Sequence, residues 1–227
     1  MRSDDLYADD FESTMAHMAL CARCQGKGII NPSSAFGLPS KCYRCAGSGQ
    51  LGWKDLKPGD HVCYFYDDPA EQLRNIARFL AAGVHLGEFI FYAYDHHTPA
   101  ELDAALASEG VDIVKEHARG AIRYFSKEES YLKGGTFEPQ RVLDSWRDAL
   151  KDALEKGFTG IRGTGEVAWA LDNPNLCREF IDYELLCDHY FLTENPRFTA
   201  VCQYDRKRLP SAVVQSVELG HSLVFQD

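Results

Sequence analysis

The sequence lacks a run of apolar residues long enough to cross a membrane. No stretch of the 227 residues approaches eighteen consecutive apolar positions. The N-terminus, MRSDDLYADDFE, is acidic and contains no apolar segment, unlike a secretory signal or a basic transit peptide. We therefore expect a cytoplasmic protein that does not bind membranes. In that reducing compartment, its eight cysteines are expected to be thiols or metal ligands rather than disulfides.

Motifs of the common nucleotide-binding and hydrolytic α/β enzymes are also absent. The sequence contains no GxxxxGK[ST] phosphate loop and no GxSxG motif, and the pair His96–His97 does not belong to an HExxH motif. The turn YDDPAEQ, after the first strand candidate, has two aspartates and no glycine, so it would repel a phosphate. An enzyme is therefore not the leading hypothesis. An enzymatic alternative would use Cys63 as nucleophile with His61 as base, or Glu166 as acid.

The composition is that of an ordinary globular protein, with 45% hydrophobic and 26% charged residues. The net charge of −10 is unevenly distributed: residues 1–19 carry −4, residues 20–57 carry +5 and the remainder carries −11. An acidic body repels nucleic acid, so only the basic segment could contact DNA, RNA or an acidic protein surface. A zinc-dependent nucleic-acid binder is therefore a weaker alternative.

From position 61 onward, apolar strand-like runs alternate with capped amphipathic helices. Strands are predicted at 61–66, 88–94, 121–125, 158–163 and 197–205, with HSLVF (221–225) as a candidate last strand. Helices are predicted to open near Pro69, Pro99, Pro139, Pro174 and Pro210. This alternation predicts an α/β domain with a mainly parallel sheet and helices on both faces. The predicted organisation is an acidic lead-in (1–19), a four-cysteine unit (20–50), a linker (51–58) and the α/β domain (59–227).

The four-cysteine unit contains two C-x-x-C pairs. Their ligand candidates are Cys21, Cys24, Cys42 and Cys45, and this spacing favours one structural zinc ion with a closed tetrahedral shell. A rubredoxin-like iron site and a redox dithiol are the alternatives. Each pair extends to C-x-x-C-x-G-x-G, which resembles the zinc-binding repeat of DnaJ-type cochaperones over about thirty residues. Two repeats suffice for one zinc, and the His-Pro-Asp tripeptide of a J-domain is absent, so chaperone activity is not implied.

The α/β domain resembles the MEDS family of sensory domains, first seen in a dichloromethane-responsive repressor. The segments that carry the resemblance are GDHVCYFYDDPAEQ, GEFIFYAYD, GFTGIRGTGEVAWAL, YELLC and VCQYDRKRLP, between about Gly59 and Val224. The resemblance implies a degenerate RecA/KaiC-like fold that has lost the phosphate loop. It also implies a role in sensing small organic compounds for transcription factors and kinases.

In open α/β sheets, ligands bind beyond the carboxyl ends of the strands. This rule and the resemblance together give the candidate ligand-binding residues His61, Cys63, Tyr66, Glu166, Trp169, Cys202 and Tyr204. Because residues i and i+2 of a strand share a face, the first two could hold a ligand or a soft metal. They could equally be a hydrogen-bonded core histidine beside an inert buried thiol. Glu184 and His221 are interpreted as structural.

The sequence therefore predicts a cytoplasmic sensor or binding module for signalling or transcription regulation. Its α/β domain would bind a small, largely apolar organic molecule, and its zinc knuckle would dock a partner protein. A homo-oligomer is expected. The main alternative is a metal- or haem-dependent sensor that uses His61 and Cys63.

Overall fold

A computed structural model describes residues 18–30, 40–171, 173–191, 196–221 and 223–227. The predicted acidic lead-in lies almost wholly outside the described residues. None of the helices in the described part of the chain is both long enough and apolar enough to span a membrane.

The four-cysteine unit consists of two short antiparallel ribbons. Its strands are β1 (Ala19–Leu20), β2 (Ile29–Ile30), β3 (Ser40–Lys41) and β4 (Gln50–Leu51). β1 pairs with β4, and β2 pairs with β3. Each pairing joins the strand before one C-x-x-C pair to the strand after the other, so the two cysteine turns are brought together.

The α/β domain is built around a six-stranded sheet in which every neighbouring pair is parallel. Its strands are β5 (His61–Tyr66), β6 (Phe89–Tyr94), β7 (Ile122–Ser126), β8 (Ile161–Glu166), β9 (Phe198–Asp205) and β10 (Leu223–Gln226). They lie in the order β10-β5-β9-β8-β6-β7. The predicted strands are confirmed with shifts of a few residues, and the candidate last strand is β10.

Helices cover both faces of the sheet, as predicted. They are α1 (Pro69–His85), α2 (Pro99–Ser108), α3 (Ile113–Ala118), α4 (Pro139–Glu155), α5 (Ala168–Leu171), α6 (Pro174–His189) and α7 (Ser211–Leu219). The buried residues of α1 and α2 form one core with one sheet face, and those of α4, α6 and α7 form a second core with the other. We refer to these as the α1 face and the α6 face.

The helix starts follow the chemistry of the capping residues. Asp68 caps α1 by accepting a hydrogen bond from the backbone N–H of Ala70. Thr98 and Glu101 form a reciprocal capping box at α2. Asn173 caps α6 through its side-chain oxygen. The short helix α3 was not predicted, because six residues are too few to show a clear helical period.

The segment between the two units packs on the sheet. Trp53 and Leu56 are both buried. The indole of Trp53 stacks on Phe225 of β10 at a centroid distance of 4.2 Å and meets Tyr64 of β5 edge-on at 5.0 Å. The four-cysteine unit is therefore held against the β10 edge of the sheet, on the α1 face.

Candidate functional site

The four cysteines of the N-terminal unit converge as metal ligands would. Their sulfur atoms all lie within 4.8 Å of one another. The Sγ–Sγ distance is 3.8 Å between Cys21 and Cys42 and 3.7 Å between Cys24 and Cys45. Four sulfurs at about 2.3 Å from one zinc ion would be about 3.8 Å apart, so the residues present fit a tetrahedral zinc centre.

Backbone N–H groups support two of these sulfurs. The N–H of Gly28 donates to Cys24 Sγ at 3.3 Å, and that of Gly49 donates to Cys45 Sγ at 3.2 Å. Burial acts to raise the pKa of Cys45, but the nearby N–H groups of Gly49 and Gly47 outweigh it and lower the pKa to about 6. This thiol is therefore readily converted to the thiolate that a metal requires.

The glycines of the two repeats permit the close approach of the two turns. Gly28 and Gly49 have φ of +68° and +81°, a region that side chains disfavour. A Cβ at Gly28 would lie 2.2 Å from the carbonyl oxygen of Gly47. A Cβ at Gly49 would lie equally close to that of Gly26. Each repeat thus leaves room for the backbone of the other, which explains the second glycine of each C-x-x-C-x-G-x-G repeat.

A second group of donor atoms lies on the α6 face of the sheet. It consists of His61 of β5, Glu184 of α6, Cys202 of β9 and His221, just before β10. All four donor atoms lie within 4.8 Å of one another. The side chains of His61, Glu184 and His221 are at most 3% exposed. Of the predicted ligand residues, this group includes His61 and Cys202.

Glu184 is at the centre of the group. Its Oε2 lies 2.9 Å from His221 Nε2 and 3.3 Å from His61 Nε2, and its Oε1 lies 3.3 Å from Cys202 Sγ. Burial acts to raise the pKa of Glu184, but the two histidines lower it to about 2. Burial acts to lower the pKa of His61, but Asp188 and Glu184 raise it to about 8.

Cys63 is close to this group without being one of its donors. It is fully buried on the α6 face, next to Cys202 in the sheet. Burial raises the pKa of both thiols. A raised pKa disfavours the thiolate, so neither cysteine has the properties of an activated nucleophile.

The other predicted ligand residues are distributed over both faces. Tyr66 is buried on the α1 face, away from His61. Tyr204 lies on the α6 face, with its ring edge-on to His221 at 6.2 Å. Trp169 belongs to an aromatic cluster on the same side, where it packs against Tyr131 at 5.1 Å. The structure therefore does not bring all seven residues into one pocket.

Glu166, at the carboxyl end of β8, holds the loop after β6. Its Oε2 accepts hydrogen bonds from the backbone N–H groups of Asp95 at 2.9 Å and His96 at 2.5 Å. Its Oε1 accepts one from the hydroxyl of Tyr92 at 2.8 Å. Both carboxylate oxygens are thus engaged within the protein, and the contacts that we see for Glu166 are structural.

A small cavity adjoins the second donor group. It has a volume of about 20 Å³ and is lined by His61, Glu184 and Cys202, by aromatic side chains such as Tyr131 and Phe191, and by the backbone of β8. This is room for about one water molecule. An organic ligand of even a few atoms could enter only if neighbouring side chains moved.

Glu184 and His221 were not among the predicted ligand residues. One signal was available for Glu184. It is a charged residue on the inward side of α6, among the buried Phe180, Tyr183 and Cys187. A buried carboxylate needs a partner, so its position in an apolar stripe indicated a site. His221 follows a helix-ending glycine and gave no such signal.

The fold and the sites define an α/β domain with a parallel six-stranded sheet, preceded by a four-cysteine unit, with two groups of donor side chains. Residues 60–222 match the family described as MEDS, the methanogen/methylotroph DcmR sensory domain, and the chain belongs to this family. The chain is 25% identical over 183 residues to the transcriptional repressor DcmR of Methylorubrum extorquens (strain DSM 6343 / CIP 106787 / DM4). The match covers 80% of this chain and 65% of the repressor, slightly less than two thirds of its length.

Two solved structures resemble the domain. One is a KaiC-like protein of Pyrococcus horikoshii OT3, with a TM-score of 0.52 and 17% identity. The other is the flagellar accessory protein FlaH of Methanocaldococcus jannaschii, with a TM-score of 0.48 and 11% identity. Both matches cover 75% of this chain and 72% of the other. The KaiC-like match supports the predicted degenerate RecA/KaiC-like fold.

Proposed function

We propose that the protein is a cytoplasmic sensor that binds a small, largely apolar organic molecule and acts in signalling or transcription regulation. The observation that carries the proposal is the match of residues 60–222, nearly the whole α/β domain, to a sensory family. The similarity to a transcriptional repressor supports the regulatory role and the cytoplasmic location.

The start of α1 supports a sensor over a nucleotide hydrolase. In parallel α/β folds, phosphates bind to the free N–H groups at a helix N-terminus that follows a strand. Here the carboxylate of Asp68 occupies that position by accepting the N–H of Ala70, and Pro69 has no N–H to offer. The side chain of Asp68 thus satisfies one of the donors that a phosphate would use, and its negative charge repels the phosphate.

The small cavity on the α6 face is the proposed ligand position. Its lining is mostly apolar, with His61, Glu184 and Cys202 as the polar contribution. Its volume of about 20 Å³ restricts the ligand to very few heavy atoms unless the aromatic side chains rearrange. A short-chain hydrocarbon derivative matches the mostly apolar lining, and its binding would require those side chains to move.

We propose that the N-terminal four-cysteine unit is a zinc knuckle that docks a partner protein. Cys21, Cys24, Cys42 and Cys45 would hold one structural zinc ion, and the ion would stabilise a unit too small to have a core of its own. Three large apolar side chains on this unit are solvent-exposed, namely Leu20, Ile29 and Tyr43. In this proposal, the partner protein contacts these three side chains.

The ligand proposal is tested by thermal unfolding with short-chain haloalkanes, alcohols and ketones, and with Mg–ATP. We expect at least one of the organic compounds to stabilise the protein, by about 2.7 kcal/mol at a concentration of 100 times its Kd. Mg–ATP should have no effect. Stabilisation by Mg–ATP alone would overturn the proposal.

A matched pair of variants locates the ligand. Gly163→Ala adds a methyl group to the cavity wall, where its Cβ would lie 3.1 Å from the ring of Phe198. Gly52→Ala adds the same group outside the cavity, with its nearest neighbour at 3.6 Å. The first variant should weaken the ligand-induced shift and the second should leave it unchanged. Equal shifts in both variants would place the ligand elsewhere.

A further inference from the structure

The four donors on the α6 face have the separations of a metal coordination shell. In a tetrahedral zinc site, nitrogen and oxygen ligands lie about 3.4 Å apart, and a sulfur lies about 3.6 Å from a nitrogen. The corresponding distances are 3.3 Å from His61 Nε2 to Glu184 Oε2 and 3.6 Å from His61 Nε2 to Cys202 Sγ. His221 Nε2 lies closer, at 2.9 Å from Glu184 Oε2.

The second ring nitrogen of His221 is held as in a metal-bound histidine. Its Nδ1 lies 2.8 Å from the backbone carbonyl oxygen of Val217. A carbonyl only accepts hydrogen bonds, so Nδ1 carries a proton and donates it. In the neutral ring, Nε2 then has its lone pair directed at the donor group. This arrangement fixes the tautomer and orientation of a histidine ligand.

The ring of His61 is oriented in the same way. Its Nε2 faces Glu184 and Cys202, and its Nδ1 lies 3.6 Å from a carboxylate oxygen of Asp188. A carboxylate behind the ring stabilises Nδ1–H and increases the basicity of Nε2, the pattern of a carboxylate–histidine–metal triad. Both histidines therefore turn the same nitrogen toward one point between β5, β9 and α6.

The contact between His221 and Glu184 also indicates a shared centre. His221 Nε2 and Glu184 Oε2 are only 2.9 Å apart, yet neither atom has a partner with hydrogen-bond geometry among the described residues. Both atoms are buried. A protonated His221 would pair with this carboxylate directly. In the neutral ring described above, both atoms present lone pairs, and a metal cation between them would satisfy both.

We propose that His61, Glu184, Cys202 and His221 form a second metal site, which holds a divalent first-row transition ion inside the α/β domain. Two imidazole nitrogens, one carboxylate oxygen and one thiolate form a borderline set, suited to zinc or ferrous iron rather than to calcium or magnesium. This site is separate from the four-cysteine unit and is assembled from β5, α6, β9 and His221 in the turn between α7 and β10. The inference does not depend on the proposed sensor role.

The metal content of the full-length protein tests the proposal. After zinc loading and removal of excess ion, native mass spectrometry should find two zinc ions in the wild type and one in each of Cys45→Ser and His221→Gln. Cys177→Ser removes a buried thiol outside both groups and His117→Gln an exposed histidine, so both controls should retain two ions. A wild type with one ion, lost in Cys45→Ser and kept in His221→Gln, would overturn the proposal.

X-ray absorption gives a second result that needs no substitution within the site. With both sites filled with zinc, the average shell should contain about 2.5 sulfur atoms at about 2.3 Å, with nitrogen and oxygen at about 2.0–2.1 Å. A shell of four sulfurs alone would mean that only the four-cysteine unit binds zinc, and would refute the second site even if His221→Gln failed to fold.

Discussion

A buried ion pair between Arg162 of β8 and Glu88, just before β6, gives the sharpest stability prediction. Their side chains are 0% and 3% exposed, and Nε donates to Oε2 at 2.5 Å. The guanidinium also donates to the carbonyl oxygen of Leu56 at 3.1 Å and lies over the ring of Phe79 at 4.9 Å. Through the contact with Leu56, the ion pair holds the segment between the four-cysteine unit and β5 against the centre of the sheet.

We expect Arg162→Met to destabilise the protein by about 3–5 kcal/mol, because it leaves the carboxylate of Glu88 buried and uncompensated. The range for surface pairs, about 0–1 kcal/mol, does not apply at this level of burial. For a chain of this size the loss corresponds to a decrease in Tm of about 6–20 °C. Thermal unfolding of the zinc-loaded protein, followed by far-UV circular dichroism, measures it.

The double variant Arg162→Met/Glu88→Leu is the matched control. It removes both charges and keeps apolar volume, and such replacements are often neutral or stabilising. We therefore expect it to recover most of the stability that the single variant loses. A loss below about 1 kcal/mol in Arg162→Met, or a double variant less stable than the single one, would refute the assignment of the cost to an unpaired buried charge.

Three further substitutions test local features. Gly49→Ala places a side chain at φ +81° and 2.2 Å from a carbonyl oxygen of the other cysteine turn. Zinc affinity should therefore decrease at least tenfold, measured by competition with a chromogenic chelator. Gly52→Ala, the control, should bind zinc with unchanged affinity. Gly165→Ala puts its Cβ 2.0 Å from the hydroxyl of Tyr131, and we expect a loss of about 1–3 kcal/mol on thermal unfolding; an unchanged Tm would contradict the packing described here. Glu166→Gln replaces one acceptor oxygen with a donor, which should lower the free energy of unfolding by about 1–3 kcal/mol. Amide hydrogen exchange in the loop after β6 should become faster. Protection equal to that of the wild type would show that the carboxylate does not hold this loop.

The parts of the fold that depend on local chemistry could be predicted from the sequence. Helix starts at Pro69, Pro99 and Pro174 follow from the capping residues before them, and strand 61–66 from its apolar run. The order of the strands could not be predicted, because parallel pairing joins segments that are far apart in the chain. β5, for example, lies between β9 and β10, which are the last two strands of the sequence.

The two donor groups also differ in how far the sequence predicts them. The cysteines of the N-terminal unit lie within 25 residues, and the C-x-x-C turn itself sets the geometry of each pair, so spacing alone revealed them. The second group spans His61 to His221 and exists only after β5, β9 and α6 have packed together. The strand periodicity pairs His61 with Cys63 on the same strand, whereas the thiol at 3.6 Å from its Nε2 is that of Cys202 on the adjacent strand β9.

This difference sets how each site depends on folding. In the proposed zinc knuckle, ion binding and folding would be the same event, because the unit has few apolar residues of its own to bury. The second group lies in a domain with two extensive apolar cores, so an ion bound there would not be required for the fold. Removal of metal should therefore unfold the N-terminal unit while the sheet remains intact. Among the aromatic contacts of the described residues, the stacking of Trp53 on Phe225 links the segment after the four-cysteine unit to the edge of the sheet.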